Sequence, residues 1–280
     1  MKPKLLDLFC GAGGAAVGYH RAGFDVVGVD IAPQPRYPFE FHQSDALEFM
    51  SKHGHEFDAI HASPPCQAYS RTGHLADAQG GRRSSTRLIE PTRAALDALG
   101  VPYVIENVEG APLSAPLLLC GSMFGLRVRR HRLFESSVFL FGQECAHWRQ
   151  GRPVGVLNWG SWGHEIPNGG RLAASLEDAQ DAMGIDWMRR AELAEAIPPA
   201  FTQWIGAQLL DVLRGDVSTP PGSSREHIHG TDASPGRRTG SHLNTDAPAG
   251  SASSEHSRQS VSAGTASCSS ASNRGRDVQV

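Results

Sequence analysis

Aromatic side chains run out early. No Phe, Trp or Tyr follows Trp204, and from Gly215 to Val280 the chain is mostly Ser, Gly, Thr, Ala, Pro, Arg and His. Such a stretch has too little apolar surface to offset its ordering entropy, so residues 215–280 read as a disordered low-complexity tail. No apolar run reaches 18 residues, which excludes a transmembrane helix and any membrane partner of that kind. The start, MKPKLLDLFCGAGG, turns to glycine too soon for a secretory leader and offers no A-x-A cleavage site. Five cysteines, an odd number in a long chain, argue against a disulfide framework and for a reducing, cytoplasmic setting. Excess charge is missing as well. A formal net charge of −3 is not that of a protein held on nucleic acid by its overall field.

The charge is nevertheless uneven. Residues 1–60 carry five Lys/Arg against eight Asp/Glu, whereas residues 127–152 carry six Arg against two Glu. Apolar runs alternate with helical stretches through the first half. Lys4–Phe9, Phe24–Asp30, Phe57–Ala62 and Val101–Ile105 read as strands. Ala15–Ala22, Ala46–His53 and Pro91–Leu99 read as helices. Strand, turn and helix in alternation imply right-handed βαβ units and a parallel sheet. Ligands of such sheets bind beyond the carboxyl ends of the strands. Arg127–Phe141 reads as one or two strands, and residues 142–170 show no clear period. Leu176–Met183 and Arg189–Ala196 look helical, and Pro198-Pro199 precedes an apolar helix over Phe201–Leu213.

The polar residues collect at strand ends. Asp7-Leu-Phe-Cys-Gly-Ala-Gly-Gly14 follows a strand and opens a helix, so backbone N–H groups face whatever sits there. Asp30 ends the next strand, where an acid would bind ribose hydroxyls. The pattern fits a plain tight turn or a nucleoside-cofactor site. Ser63-Pro-Pro-Cys-Gln67 presents a cysteine from a rigid segment. Cys66 is either a small buried hydrophobe or a nucleophile whose thiolate needs a favourable local field. Glu106, ending the strand of Val104-Ile-Glu-Asn-Val108, is either solvated or protonated in a crevice. In Val128-Arg-Arg-His-Arg132, strand spacing puts Arg130 and Arg132 on one face and Arg129 and His131 on the other. Two arginines on one face are solvated edge charges or a grip for phosphate or a base carbonyl. Cys120, His131, Cys145 and His147 can be drawn as a zinc site, but the spacing fits no metal pattern and His131 faces away from Arg132, so no metal is expected.

Together these motifs resemble the DNA (cytosine-5)-methyltransferase family. DLFCGAGG is similar to its S-adenosylmethionine motif, DAIHASPPCQAYS to its nucleophile motif, ENV to its third catalytic motif and VRRHR to its Q-R-R-x-R motif, in the family's order. Glu192–Leu210 resembles its closing motif. The chain departs from the family at Val128, where Gln is usual, and at Glu195, where Asn is usual. The resemblance implies an α/β, Rossmann-like S-adenosylmethionine-dependent methyltransferase sheet with a small target-recognition subdomain. Residues 1–135 would hold catalysis and cofactor, 136–185 target recognition, and 186–214 the helices that return to the sheet. Phe9 would stack on adenine, and Asp7, Gly11, Ala12 and Gly14 would line the methionine end. Asp30 would bind the ribose, Asp45 and Ala46 the adenine edge, and Ile31 and Pro65 would also bind the cofactor.

Cys66 would attack C6 of a cytosine flipped from double-stranded DNA. Glu106 would hydrogen-bond N3 and the exocyclic amine, Arg132 would contact the base carbonyl, and Arg130 would hold phosphate or Glu106. The other readings are tRNA as substrate by the same fold, and a catalytically idle DNA-binding relative. The family reading also implies a monomer in the cytoplasm of a bacterium or phage-infected host. A cognate restriction endonuclease as cellular partner, an orphan or phage-borne enzyme, and a regulator all fit this reading. Arg71, Arg82, Arg83, Arg87 and Arg93 suit a loop closing on DNA or a solvated surface loop. Trp148, Arg149, Arg152, Trp159, Trp162 and His164 suit DNA contacts or, for the tryptophans, core filling.

Overall fold

The computed structural model describes residues 2–65, 87–156, 163, 165, 166 and 169–215. Cys66, Arg71, Arg82, Arg83, Trp159, Trp162, His164 and the tail beyond Gly215 lie outside them.

Strand β1 (Lys4–Leu8) is buried at four of five positions. A strand covered on both faces has no polar side to alternate, so KLLDL reads as a nearly unbroken apolar run. Helix α1 (Gly14–Ala22) follows, then β2 (Asp25–Asp30), β3 (Glu40–Gln43), α2 (Ala46–His53), β4 (Ala59–Ala62), α3 (Ile89–Leu99) and β5 (Tyr103–Asn107). Next come β6 (Leu117–Cys120) and β7 (His131–Ser136). The seven strands form one sheet in the order β3-β2-β1-β4-β5-β7-β6. β1 through β5 pair in parallel, β7 runs antiparallel to β5, and β6 antiparallel to β7.

Alternate residues of each strand feed two cores. Leu5 and Val26 face α1, whereas Leu6, Leu8 and Ile60 face α2 and α3 with Met50 and Leu96. Asp45 caps α2, its side chain accepting from the Glu48 N–H.

The last helix, α6 (Pro199–Arg214), returns to lie on α1. The two backbones approach closely because side chains are absent at the crossing. A Cβ on Gly18 would lie 1.9 Å from Thr202 Oγ1 and 2.2 Å from the Pro199 carbonyl oxygen. Thr202 Oγ1 also donates to the Ala15 carbonyl at 2.8 Å. Between β7 and α6 lies a three-stranded sheet of order β8-β10-β9, from β8 (Val154–Gly155), β9 (Glu165–Ile166) and β10 (Gly170–Leu172). Helices α4 (Leu176–Met183) and α5 (Arg190–Glu195) follow. Val154, Val156, Ala182, Met183 and Leu193 form a third core that also takes in Ala12 of the glycine turn and Val128. No helix among the described residues is long and apolar enough to cross a membrane.

The strand expectations hold within a residue or two at each end, with two differences. Arg127–Phe141 yields one strand, and its partner β6, from the short run LLLC, carried no strand signal. The small sheet was equally silent, because its strands of two or three residues are shorter than any periodic pattern.

Candidate active site

The strand order reverses between β1 and β4, so a crevice opens beyond their carboxyl ends. Phe9 adopts a left-handed φ of 57° as the chain leaves β1, a conformation that costs a non-glycine residue about 1–2 kcal/mol. Gly11 follows at φ 49°. Its N–H donates to Asp30 Oδ2 at 3.0 Å, and the Ala32 N–H donates to Oδ1 at 2.9 Å. Asp30 thus ties the turn to the end of β2.

The glycines divide the work. A Cβ on Gly11 would meet nothing within 4 Å, whereas one on Gly14 would lie 2.4 Å from the Ile197 carbonyl oxygen. Gly11 leaves an open face, and Gly14 makes room for the returning chain. Trp187 donates its indole N–H to the Ala12 carbonyl at 2.8 Å. Among the described residues no side chain caps α1, so N–H groups at its start remain for an anion. Ile31 stands 73% exposed at the rim, and Pro65 is exposed. Ala46 is buried in the first turn of α2, and Asp45 uses Oδ1 to cap that helix.

Asp7 is placed differently from its neighbours. It lies wholly buried within β1, Oδ2 is 3.5 Å from the Tyr37 hydroxyl, and Oδ1 has no partner among the described residues. Burial pushes its pKa well above the usual carboxylate range. It supports the turn from beneath and does not line the crevice surface.

A line of hydrogen bonds crosses the sheet under the crevice. The Tyr19 hydroxyl meets His61 Nδ1 at 3.0 Å, and His61 Nε2 meets Ser63 Oγ at 2.8 Å. Ser63 in turn hydrogen-bonds Glu106, whose Oε1 is 3.0 Å from Arg132 Nε. Burial pushes the His61 pKa down to about 3, so its ring is neutral at pH 7. A Ser63 hydroxyl that donates to a carboxylate must accept from His61 Nε2–H. Nδ1 then accepts from Tyr19, which burial keeps protonated.

Glu106 is only 6% exposed. Burial raises its pKa, and Arg132, the Ser63 hydroxyl and Arg130 partly offset that rise. Next to it, Asn107 Nδ2 donates to the Pro64 carbonyl at 2.9 Å. Cys66, two residues further on, lies outside the described residues.

The arginines separate. Arg132 pairs with Glu106 and donates to the His131 carbonyl at 2.9 Å. Arg130 spends its guanidinium on the carbonyls of Leu193, Ala194, Ala196 and Val156, at 2.5–3.3 Å, closing the end of α5 while its charge still acts on Glu106. Arg93 does not belong to a DNA-closing loop. It sits in α3, and its guanidinium holds the buried Glu135 at 2.6 and 2.8 Å and the Pro112 carbonyl at 2.8 Å. Arg152 bonds Glu165 and the carbonyls of Gly169 and Gly170, holding the small sheet together. Trp148 stands 78% exposed with the Arg149 guanidinium 4.4 Å above its ring.

Sequence reasoning did not reach His61, Ser63, Tyr19, Tyr37 or Trp187. Only the polar His inside the apolar run DAIHA carried a signal. Spacing alone gave no metal pattern for the cysteine–histidine set. His131 does face away from Arg132, but Cys120, Cys145 and His147 converge on that same face.

The sheet order, the glycine turn and the crevice define the fold of S-adenosylmethionine-dependent methyltransferases. The Dnmt2 methyltransferase of S. pombe superposes with a TM-score of 0.51 at 13% identity, covering 76% of this chain and 99% of that one. A prophage-encoded E. coli protein, described as a DNA modification methyltransferase, does so with a TM-score of 0.50 at 15% identity over the same shares. Residues 3–111 match the model of the C-5 cytosine-specific DNA methylase family.

Among curated proteins, the chain is 30% identical over 126 residues to the type II methyltransferase M.AquIA of Picosynechococcus sp., and 30% identical over 114 residues to M.FnuDI of Fusobacterium nucleatum. These matches take in 39% and 38% of this chain, but only 50% and 33% of those relatives. The chain thus spans half or less of the curated relatives it matches first. M.HgiGI of Herpetosiphon aurantiacus, 29% identical over 124 residues, is matched over 94% of its length and 40% of this chain.

Proposed function

We propose that the chain transfers a methyl group from S-adenosylmethionine to C5 of cytosine in double-stranded DNA. The observation that carries this reading is the buried pair of Glu106 and Arg132, with Asn107 holding Pro64 just ahead of Cys66. Cytosine C5 is a poor nucleophile until C6 is attacked, so the reaction needs a thiolate and a proton donor beside N3. Cys66 supplies the sulfur, which bonds to C6. Glu106, whose burial favours the protonated form, donates to N3 as the ring accepts electrons. Arg132 orients Glu106 and reaches the base carbonyl. Ser63, fixed by His61, holds the other side of the carboxyl group. After methylation the C5 proton leaves to a base, and the C6–sulfur bond breaks to regenerate Cys66.

The residues at the strand ends fit the cofactor. The open face of Gly11 and the uncapped start of α1 suit its carboxylate, and exposed Ile31 offers an apolar rim. Phe9, Ala12, Gly14, Asp30, Asp45, Ala46 and Pro65 complete that lining in our reading, with Asp7 beneath it. S-adenosylmethionine supplies the electrophilic methyl group.

Exposed Trp148 with Arg149 suits contact with bases and phosphates, as part of a target-recognition region over 136–185. A cognate restriction endonuclease would be a partner in the cell rather than at this site. The test is methyl transfer from labelled cofactor to duplex DNA and to tRNA, with Cys66→Ser as control. Label in DNA that Cys66→Ser abolishes supports the proposal. Label confined to tRNA overturns the substrate, and transfer that survives Cys66→Ser overturns the mechanism.

A further inference from the structure

Among the described residues one group of metal-ligating side chains converges on a point. Cys120 ends β6 and His131 begins β7, and the two are paired across the antiparallel register. Cys145 and His147 come from the coil after β7. Their four ligand atoms all lie within 4.8 Å of one another. His131 Nε2 and His147 Nε2 are 3.3 Å apart, Cys120 Sγ is 3.2 Å from His147 Nε2, and Cys145 Sγ is 3.7 Å from His131 Nε2. A tetrahedral zinc ion at about 2.3 Å from sulfur and about 2.0–2.1 Å from nitrogen demands edges of roughly 3.3 Å between nitrogens and roughly 3.6 Å between nitrogen and sulfur. The His131–His147 and Cys145–His131 separations lie close to those edges, and the Cys120–His147 separation is shorter by about 0.4 Å.

The surrounding contacts say which electrons point inward. Glu109 Oε2 lies 3.4 Å from His131 Nδ1, so the carboxylate takes the proton on the outer nitrogen and Nε2 turns its lone pair to the centre. Ser122 Oγ accepts the Ala146 N–H at 3.1 Å, and its hydroxyl is directed at Cys120 Sγ, 3.2 Å away. The sulfur is therefore an acceptor as well. Lone pairs gathered at contact distance repel one another unless a cation sits between them. Two sulfurs and two imidazoles suit zinc and not magnesium or calcium, which take oxygen. Four protein ligands close the coordination sphere, so the site is structural.

We infer that Cys120, His131, Cys145 and His147 bind one zinc ion, which fastens the coil bearing Trp148 and Arg149 to the strand bearing Arg132. Wide sequence spacing does not weigh against the site, because strand pairing delivers one Cys–His pair and the short Cys145-Ala-His147 turn delivers the other. The inference is independent of the methyltransfer reading, since its readout is metal and not product.

The experiment uses the full chain, freed of any histidine tag and purified under reducing conditions. Elemental analysis should find one zinc per chain. Cobalt(II) substitution should give the visible bands of a tetrahedral thiolate site. Cys145→Ser should lose the cobalt–thiolate spectrum or shift it strongly. Glu109→Gln, which spares every ligand, should weaken zinc affinity about 10–100-fold. If Cys145→Ser fails to fold, the cobalt spectrum of the unaltered chain and the Glu109→Gln affinity still decide. Unaltered protein that takes up no zinc or cobalt when offered them overturns the inference. So does stoichiometric zinc retained by a folded Cys145→Ser, His147→Ala variant.

Discussion

The two ends of the sheet are built by different means. From β1 to β5 the strands pair in parallel, and all but the exposed edge strand β3 are mostly buried runs. Beyond β5 the chain doubles back through β7 and β6 and into a sheet whose strands have two or three residues. There polar contacts add to the apolar core around Val154, Met183 and Leu193. Asp178 accepts from Arg171 at 2.5 and 3.0 Å, from Arg127 at 2.9 Å and from the Ala174 N–H at 2.7 Å. The first region is organised by burial and the second by burial together with charged and convergent side chains. The proposed active-site pair Glu106–Arg132 spans the seam, one residue from each region.

Breaking that seam should have the largest effect. Glu106→Gln removes the acidic proton, so methyl transfer should fall by about 10²–10⁴-fold. It also takes the ion-pair partner from Arg132, so stability should drop as well, by about 1.5–3 kcal/mol or more. Single-turnover kinetics beside a melting curve would separate the two. A stable variant with undiminished transfer would take Glu106 out of the chemistry.

Steric damage to the burial-organised region should come next. Gly18→Val would drive a side chain into Thr202 and Pro199, and overpacking of this kind costs about 1–3 kcal/mol or more. Gly151→Ala, whose Cβ would meet nothing within 4 Å, should leave stability within about 0.5 kcal/mol. Equal losses from both would show that the α1–α6 crossing is not tightly packed.

The polar region has its own counterpart. Asp178→Asn removes a charge shared by two arginines, and hydrogen bonds to charged groups are worth about 1.5–3 kcal/mol. The arginines and the Ala174 N–H hold this carboxyl far below its usual range. Its contribution is therefore complete above the ordinary carboxylate pKa and lost as pH falls through and below that value. Urea titrations at neutral and acid pH should show a deficit for Asp178→Asn that shrinks on acidification.

His61 works in a different window. Its folded pKa, pushed down to about 3, lies below the unfolded value of 6.5. The unfolded chain binds the extra proton between these values, so stability is full above pH 6.5 and falls by about 1.4 kcal/mol per pH unit as pH drops toward 3. His61→Gln keeps a donor for Ser63 and an acceptor for Tyr19 and should flatten that part of the profile. An unchanged slope would place the sensitivity elsewhere.

How much of this was legible follows from the same contrast. Burial leaves a local trace, so KLLDLF, FDVVGVD and AIHA announced their strands. The residues after them, Phe9–Gly14, Asp30 and Glu106, were placed by strand-end logic alone. Partnerships across long separations leave none. Arg36 meets Glu192 across 156 positions, and Arg130 closes the end of α5 more than 60 residues away. Trp187 reaches Ala12 across 175. The expectation of no metal rested on spacing alone and did not weigh pairing of the same kind. Spacing patterns describe sites on one loop or one helix, whereas Cys120 and His131 are neighbours only because β6 and β7 pair.

The smallest effect on stability, and the sharpest test of what the polar region is for, lies at Trp148. Its ring is exposed and covered on one side by Arg149, so Trp148→Ala removes almost nothing from the core and should shift unfolding by no more than about 0.5 kcal/mol. If the ring contacts nucleic acid, truncation should raise the KM for duplex DNA and leave the rate of a saturated single turnover nearly intact. An aromatic platform for a base is worth about 1–3 kcal/mol, roughly 5–150-fold in affinity. Arg149→Ala should weaken binding less and also flatten its salt dependence, because one phosphate contact is lost. If DNA affinity ignores both changes, the exposed tip is a surface feature and target recognition lies elsewhere in the chain.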